Sequence, residues 1–232
     1  KEKEWRTKAK ENDRALEEKQ NEFHRQQSRL ESLKNIAERY DGYGNSIRKV
    51  MEQKEHTPGL LGVVSDLIQV DKKYEIAIET ALGGSIQNIV TSDEDTAKRM
   101  IDFLKKNKFG RATFLPLTAI RGDVLRENVA GEYGFVGVAS ELVRYDKQYD
   151  NIFKSLLGRT VVMEDMDSAI ALARKFRNGF RIVTLDGQVI NRGGSMTGGS
   201  VNRSAGVLSR ANELERLSGQ QGALHEKLRA AT

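Results

Sequence analysis

Two segments of this chain follow one pattern, and this repeat strongly limits the folds that the chain can adopt. "GLLGVVSDLIQVDKKYEIAIETALG" from Gly59 aligns without a gap with "GFVGVASELVRYDKQYDNIFKSLLG" from Gly134, at an offset of about 75 residues and with about ten identities in 25. The similarity continues, with small gaps, from "NIVTSDEDTAKRMIDFL" to "TVVMEDMDSAIALARKF" and from "RATFL" to "RIVTL". Such a repeat indicates one supersecondary unit used twice. We therefore predict two halves, about 59–118 and 134–190, each ordered strand, helix, strand, helix, strand.

Charged, glutamine-rich segments flank the repeat and favour helix. Apolar residues recur there in heptads, before the repeat and again from Val207, as in coiled-coil strands. We predict an α+β chain with a central domain, 57–200, between two helical arms, 1–56 and 201–232. Arms that leave one side of the domain would pair as an antiparallel two-stranded coiled coil. The alternative is an amphipathic helix packed on its own domain. One heptad row of the first arm is weak, with polar residues at Asn12, Lys19 and Gln26.

The composition argues against several classes of function. There is no cysteine, and the three histidines are far apart in sequence, so disulfides and a cysteine metal site are excluded and metal or thiol chemistry is not expected. No apolar run approaches the roughly 20 residues that cross a bilayer, and no signal-peptide pattern is present. We expect an intracellular, soluble protein without membrane contact. The net charge of +5 permits an anionic partner without requiring one.

Two polar motifs inside the repeat have structural explanations. The acidic cluster in "TSDED" is typical of a helix start, in which Thr91 or Ser92 caps the exposed amides. The paired Asp-Lys-x-Tyr segments can be interpreted as duplicated active sites, but no nucleophile with a base accompanies them. We favour a repeated turn and helix start, and we assign no catalytic residue and no metal site.

The segment "NRGGSMTGGS" contains four glycines within seven residues and has two interpretations. Its spacing follows the phosphate-binding frame G-x-x-x-x-G-K-[ST] except that the lysine is missing. A nucleotide site is therefore disfavoured. Glycine also permits close approach of two backbones and unusual dihedral angles at a strand edge. The glycines concerned are Gly193, Gly194, Gly198 and Gly199.

The segments "TPGLLGVVSDLI", "ALGGSIQNIVTSDEDTAKRMIDFLKK", "GRATFLPL" and "GQVINRGGSMTGGS" together resemble the hinge of bacterial SMC (structural maintenance of chromosomes) proteins. The resemblance covers the whole middle region with its motifs in order, and the flanking coils agree with it. It implies the SMC hinge fold of two repeated α/β halves at 57–200, with the glycine dimerisation motif at 193–199.

The resemblance also implies a function. In this family the hinge joins two long-armed protomers, and the glycine motif lies at the contact between hinges. ATP and Mg are bound by head domains elsewhere in the parent, so we expect no enzyme activity and no cofactor in this fragment. Kleisin-type subunits would bind those heads rather than this fragment. We expect a homodimer, cytoplasmic and associated with the nucleoid, in which Gly193, Gly194, Gly198 and Gly199 make the dimer contact.

DNA binding, including single-stranded DNA, is the second property that the resemblance implies. Many relatives carry a lysine cluster after the glycine motif, whereas this chain has "VNRSAGVLSR" there. Binding is therefore expected to be weak, independent of sequence and sensitive to salt. The alternative is a purely structural joint without DNA contact. The candidate DNA-binding residues are Arg192, Arg203, Arg210, Lys72 and Lys73.

Overall fold

The computed structural model describes residues 2–38, 43–200 and 206–231 of the chain. Its contacts divide the chain into two compact units. One unit consists of residues 1–41 and 211–232, and the other runs from Gly42 to Arg210. The predicted boundaries at 57 and 200 remain predictions. The mixture of helices and strands agrees with the predicted α+β class.

The first unit is built from two long helices. Helix α1 spans Glu2–Glu38, and most of helix α7, Val207–Ala231, belongs to the same unit. Leu30 of α1 and Leu217 of α7 are each only 4% exposed, and Arg29 Nη2 lies 2.6 Å from a carboxylate oxygen of Glu213. The predicted pairing of the two arms is therefore confirmed.

The second unit contains the repeat. The first half is formed by β1 (Leu60–Val63), α3 (Glu75–Leu82), β3 (Ile89–Thr91), α4 (Glu94–Asn107) and β4 (Phe114–Pro116). The second half is formed by β5 (Phe135–Val138), α5 (Asp150–Leu157), β7 (Thr160–Met163), α6 (Met166–Lys175) and β8 (Arg181–Thr184). Both halves have the predicted order of strands and helices. Helix α2 (Asn45–Met51) precedes the first half, and β9 (Val189–Ile190) and β10 (Met196–Thr197) follow the second.

The two halves repeat each other in detail. In each, the first strand is antiparallel to the second and the third is parallel to the second, which gives the orders β1-β3-β4 and β5-β7-β8. Both first strands carry an irregularity at the same place, before Gly62 and before Gly137. Each Asp-Lys-x-Tyr segment forms a 3-10 turn that leads directly into a helix. The structural interpretation of these motifs is therefore confirmed.

A short antiparallel ribbon joins the halves. Strand β2 (Gln69–Val70) pairs with β6 (Val143–Arg144), with Gln69 opposite Arg144. These two residues are equivalents at the repeat offset of 75, so a local pseudo-twofold axis passes between them. An ion pair of 2.9 Å between Arg144 and Asp71 lies beside the ribbon.

One buried cluster extends across both halves. It includes Ile78 and Val90 of the first half and Phe153 and Val183 of the second. Leu208, in the first turn of α7, belongs to the same cluster and is only 2% exposed. A second cluster fills the space between the five-stranded sheet and α6 together with the linker residue Val129. Burial of these apolar side chains provides the main stabilisation of the unit.

The start of α4 corrects one prediction. The N-cap is Asp93, whose Oδ1 accepts a hydrogen bond from the Thr96 amide at 2.7 Å. Thr91 ends β3 and its hydroxyl donates to the Asp93 carbonyl at 2.9 Å, while the Ser92 hydroxyl donates to the Asp93 carboxylate at 2.7 Å, so neither caps the helix. These bonds, chiefly the one from Ser92, lower the pKa of Asp93 to about 2. Asp165 caps α6 in the same way.

The start of α7 is held by a residue of the first half. The Glu79 carboxylate accepts hydrogen bonds from the amides of Val207 at 2.9 Å and Leu208 at 3.4 Å. A side chain on Gly206 would overlap this carboxylate, so the absence of a Cβ permits the contact. Glu79 thereby supplies acceptors for amides that have no partner within the helix.

Candidate dimerisation edge and basic surface

The glycine motif folds as a hairpin at one end of the five-stranded sheet. Strands β9 and β10 are antiparallel, with Met196 opposite Ile190 and Thr197 opposite Val189. In the turn, the Asn191 amide donates to the Ser195 carbonyl at 2.8 Å and the Gly194 amide donates to the Asn191 carbonyl at 2.9 Å. This geometry differs from the strand, loop and helix of a phosphate-binding loop.

Three of the four glycines have backbone conformations that other residues avoid. The φ angles are 89° at Gly193, 96° at Gly194 and 139° at Gly199. A side chain at any of these positions would strain the backbone. Gly194 also faces Asn178, whose Nδ2 would lie 3.2 Å from an added Cβ. These glycines therefore shape the hairpin within the chain itself, a role that spacing alone did not reveal.

Gly198 has a different requirement, set by Gln188. An added Cβ at Gly198 would overlap Gln188 Oε1. The Gln188 carboxamide accepts a hydrogen bond from the Gly199 amide at 2.8 Å and donates to the Gly199 carbonyl at 3.1 Å. Gln188 was not among the residues predicted from the sequence, because nothing in its spacing from the glycines indicates this contact.

Strand β10 is the edge of its sheet, whose order is β10-β9-β8-β7-β5. In an antiparallel pair, residues whose backbone groups bond to the opposite strand alternate with residues whose groups point away from it. The Asn191 amide bonds to the Ser195 carbonyl, so the backbone groups of Met196 and Gly198 point away from β9. The Met196 side chain is 55% exposed. The outer edge of β10 thus presents backbone groups without a partner, and an apolar side chain is exposed on the same strand. Both features are expected of an edge strand that can pair with a strand of another chain.

The first half also ends in an edge strand, but only part of this edge is free. Pro116 has no amide, and its carbonyl accepts hydrogen bonds from the amides of Ala119 and Ile120, so Phe114 is the position of β4 whose backbone groups face away from β3 unbonded. Strand β4 is the last strand of the order β1-β3-β4, whereas its equivalent β8 is covered by β9. The two halves therefore end differently: the second carries an additional hairpin, and the first lacks it in the part of the chain that the structure describes.

The predicted DNA-binding residues lie on separate elements. Arg192 is exposed in the turn between β9 and β10, and Lys72 and Lys73 are exposed in the 3-10 turn before α3. Arg210 is half-buried in the first turn of α7, and Arg203 lies outside the described residues. A hydrogen bond with Tyr74 raises the pKa of Lys73, whose ammonium group lies 4.5 Å from the centre of the Tyr74 ring.

A further basic cluster occurs at the end of α4. Lys105, Lys106 and Lys108 are exposed, and none of them forms an ion pair with a described residue. The carbonyls of Leu104 and Lys105 are satisfied by backbone amides, so the ammonium groups are not needed to cap the helix. Lys108 has a φ of 56°, an uncommon angle for a lysine.

The equivalent end of α6 carries the same charges, at Arg174, Lys175 and Arg177. Arg177 also has a positive φ, of 52°. Here one charge is neutralised, because Lys175 lies 2.6 Å from Glu132. The cluster on α4 is thus the less compensated of the two.

The described part of the chain offers neither a metal site nor a membrane span. There, no group of three or more His, Cys, Asp or Glu side chains is arranged to hold a metal ion. None of the helices in that part is long and apolar enough to span a bilayer.

Comparisons with known proteins point to one family. A family model described as "SMC proteins Flexible Hinge Domain" matches residues 57–173. The chain is 42% identical over 205 residues to the Chromosome partition protein Smc of Bacillus subtilis (strain 168), covering 86% of this chain and 17% of that protein. It is 42% identical over 194 residues to the protein of the same name from Halothermothrix orenii, of which it covers 16%. The chain thus spans only a small part of these relatives.

Solved structures give the same result. The SMC hinge domain of Geobacillus stearothermophilus, crystallised as an asymmetric dimer, matches with a TM-score of 0.86 and 38% identity over 93% of this chain and 88% of that one. The Pyrococcus furiosus SMC hinge domain matches with a TM-score of 0.59 and 32% identity over 78% of this chain and 89% of that one.

Proposed function

Because this chain belongs to the SMC flexible hinge domain family, we propose that it joins two copies of itself through the open edge of β10. The observation that carries the proposal is the outer edge of β10, where no strand pairs with it and Met196 is exposed. Gly193, Gly194, Gly198 and Gly199 shape this edge. Strand pairing between chains satisfies backbone groups that otherwise remain bonded only to water.

The partner strand is β4 of the first half in the second copy. Strands β4 and β10 are ends of different sheets, so each copy offers one of each. A twofold arrangement then makes the same contact twice and closes into a ring. This explains why both halves of the repeat are needed in one chain.

The variant Met196→Lys tests this edge. The exposed lysine would place a charge in the contact, so we expect mainly monomers at micromolar concentration in light scattering. Val124→Lys is the matched control, since Val124 is 46% exposed but lies in the linker between the halves. A Met196→Lys protein that keeps the dimer mass would overturn the proposed edge. Replacement of Gly198 and Gly199 together with bulkier residues should also yield monomers, but it would disturb the hairpin as well.

We also propose weak, sequence-independent DNA binding, with the cluster at Lys105, Lys106 and Lys108 as its strongest support. Exposed cations without carboxylate partners can contact phosphates at little cost. Arg192, Arg203, Arg210, Lys72 and Lys73 remain candidates that the sequence suggested. The competing function is a purely structural joint without DNA contact.

A titration with single-stranded and duplex DNA at several salt concentrations separates these functions. Replacing Lys105, Lys106 and Lys108 with glutamine should make the slope of the logarithm of the binding constant against the logarithm of salt concentration shallower by about 2 for single strands, at roughly 0.7 for each lost phosphate contact. Lys98→Gln, within α4, is the matched control, and Arg192→Gln and the pair Lys72→Gln with Lys73→Gln test the other candidates. Absence of binding by the unaltered chain at low salt would favour the structural joint.

For the longer protein that contains such a hinge, we propose a role in chromosome partition, as the names of the relatives indicate. Its ATP and Mg would be bound by head domains, to which kleisin-type subunits attach. The location would be cytoplasmic, at the nucleoid. No cofactor and no enzyme activity are proposed for the hinge itself.

A further inference from the structure

We infer that Gln188 is a positioning residue for dimerisation, whose carboxamide takes the place of a neighbouring strand and holds Gly199 in line with β10. The inference rests on the proposed function, in which the edge of β10 pairs with a second copy. It concerns a residue that does not itself belong to the edge.

The alternating hydrogen-bond pattern between β9 and β10 explains why a side chain has to bond to the backbone of Gly199. Thr197 lies opposite Val189, so the next position with backbone groups pointing toward β9 is Gly199. Gly187 would be its partner, but it lies in the turn between β8 and β9 with a φ of 89°. Its amide donates to the Thr184 carbonyl at 2.9 Å. The strand therefore ends before Gly199 can be paired by the backbone.

The Gln188 carboxamide replaces the missing backbone pair. Its Oε1 and Nε2 bond to both the amide and the carbonyl of Gly199, as an adjacent strand would. The Gln188 main chain is fixed independently, since its amide donates to Thr184 Oγ1 at 2.9 Å. Its Nε2 also lies 3.4 Å from Asp186 Oδ2. The side chain thus starts from an anchored position.

Gly198 makes this arrangement possible. Gln188 and Gly198 face each other across the hairpin, and an added Cβ on Gly198 would lie 4.0 Å from Gln188 Cβ but would overlap Oε1. Without a side chain at 198, the carboxamide can fold over this position to Gly199. The backbone groups of Gly198 are then held facing the open edge, where the partner strand would pair.

Two roles for Gly198 can therefore be separated. In one, the glycine provides room for the partner. In the other, which we infer, the glycine provides room for Gln188. The Gln188 side chain then keeps residues 198–199 in the ordered conformation that the partner strand requires. The second role predicts that the loss of dimer affinity caused by a side chain at 198 depends on the length of the side chain at 188.

The test is a double-substitution cycle on the whole 232-residue chain, with the dimer dissociation constant measured by analytical ultracentrifugation. Gln188→Ala should weaken the dimer about tenfold, because Gly199 loses both hydrogen bonds and this part of the edge must then be ordered when the partner binds. Gly198→Ala alone should weaken it more. In the Gln188→Ala background, Gly198→Ala should cause little further loss, because the carboxamide that the new methyl group would overlap is no longer present.

Amide hydrogen exchange gives a readout that a change in overall stability would not imitate. Gln188→Ala should accelerate exchange at Gly199 selectively, with exchange in β7 and β8 unchanged. Equal effects of Gly198→Ala in both backgrounds would overturn the inference, and so would unaltered exchange at Gly199. If Met196→Lys leaves the dimer intact while Gln188→Ala still accelerates exchange at Gly199, the proposed edge is wrong although Gln188 still orders the hairpin.

Discussion

At the scale of single residues, capping carboxylates make the repeat sensitive to acid. Hydrogen bonds hold the pKa of Asp93 at about 2, compared with 3.8 when these bonds are absent. The Asp165 pKa is lowered as well, chiefly by the backbone hydrogen bond from Ser168. A lowered pKa in the folded state means that the contribution to stability is present above pH 4 and is lost as the pH falls toward 2.

We predict that Asp93→Asn makes the melting temperature less dependent on pH between 4 and 2 than it is in the unaltered chain. Asparagine keeps an acceptor for the Thr96 amide but does not titrate. Circular dichroism melts of the two proteins at each pH measure the difference, and Asp165→Asn serves as the equivalent substitution in the other half. Parallel pH curves for Asp93→Asn and the unaltered chain would contradict the prediction.

The choice of cap shows what a sequence can reveal at this scale. "TSDED" predicted a helix start at the right place, but three adjacent residues can each accept a bond from an amide. Only the extended backbone of Asp93, with φ −152°, places its carboxylate against the amide three residues ahead. Gln188 was not predictable for a related reason, since its partner lies eleven residues away in a hairpin whose register the glycines determine.

At the scale of elements, the start of α7 depends on a helix of the first half. Glu79 of α3 receives two amide hydrogen bonds from this turn, and Leu208 beside them is buried in the core. The heptad pattern predicted that a helix begins near Val207 but could not identify its cap. The capping residue comes from more than 120 residues earlier, and no local motif records such a contact.

We predict that Glu79→Ala destabilises the chain by about 1 kcal/mol, the usual loss when a capping side chain is removed. Exchange of the Val207 and Leu208 amides should accelerate, because they lose their acceptor. Glu79→Gln retains one acceptor oxygen and should show a smaller effect. Unchanged exchange at both amides in Glu79→Ala would show that the carboxylate does not anchor this turn. Chemical denaturation followed by circular dichroism gives the stability difference.

At the scale of the whole molecule, the repeat was predictable because the same core has to be built twice. Gly59 and Gly134 are equivalent, and an added side chain at either would collide with the second helix of its half, at Thr96 or Ser168. Such a steric requirement restricts both positions to glycine, and the repeat is therefore recognisable in the sequence. The ribbon that pairs Gln69 with Arg144 was not predictable from the sequence. Both residues are exposed and pair through backbone groups, so the ribbon places little restriction on which side chains occur there.

In the proposed dimer, the hairpin that only the second half carries gives each copy a projecting edge at β10, and β4 is the receiving edge. Growth stops only because both contacts close on the same partner. A pair held by a single contact would still have a free β10 at one end and a free β4 at the other. Further copies could then add without limit, and the product would be a filament instead of a ring. Closure of the ring therefore acts as chain termination. A protein in which strain prevents the second β10–β4 contact from closing on the same partner should form filaments at high concentration.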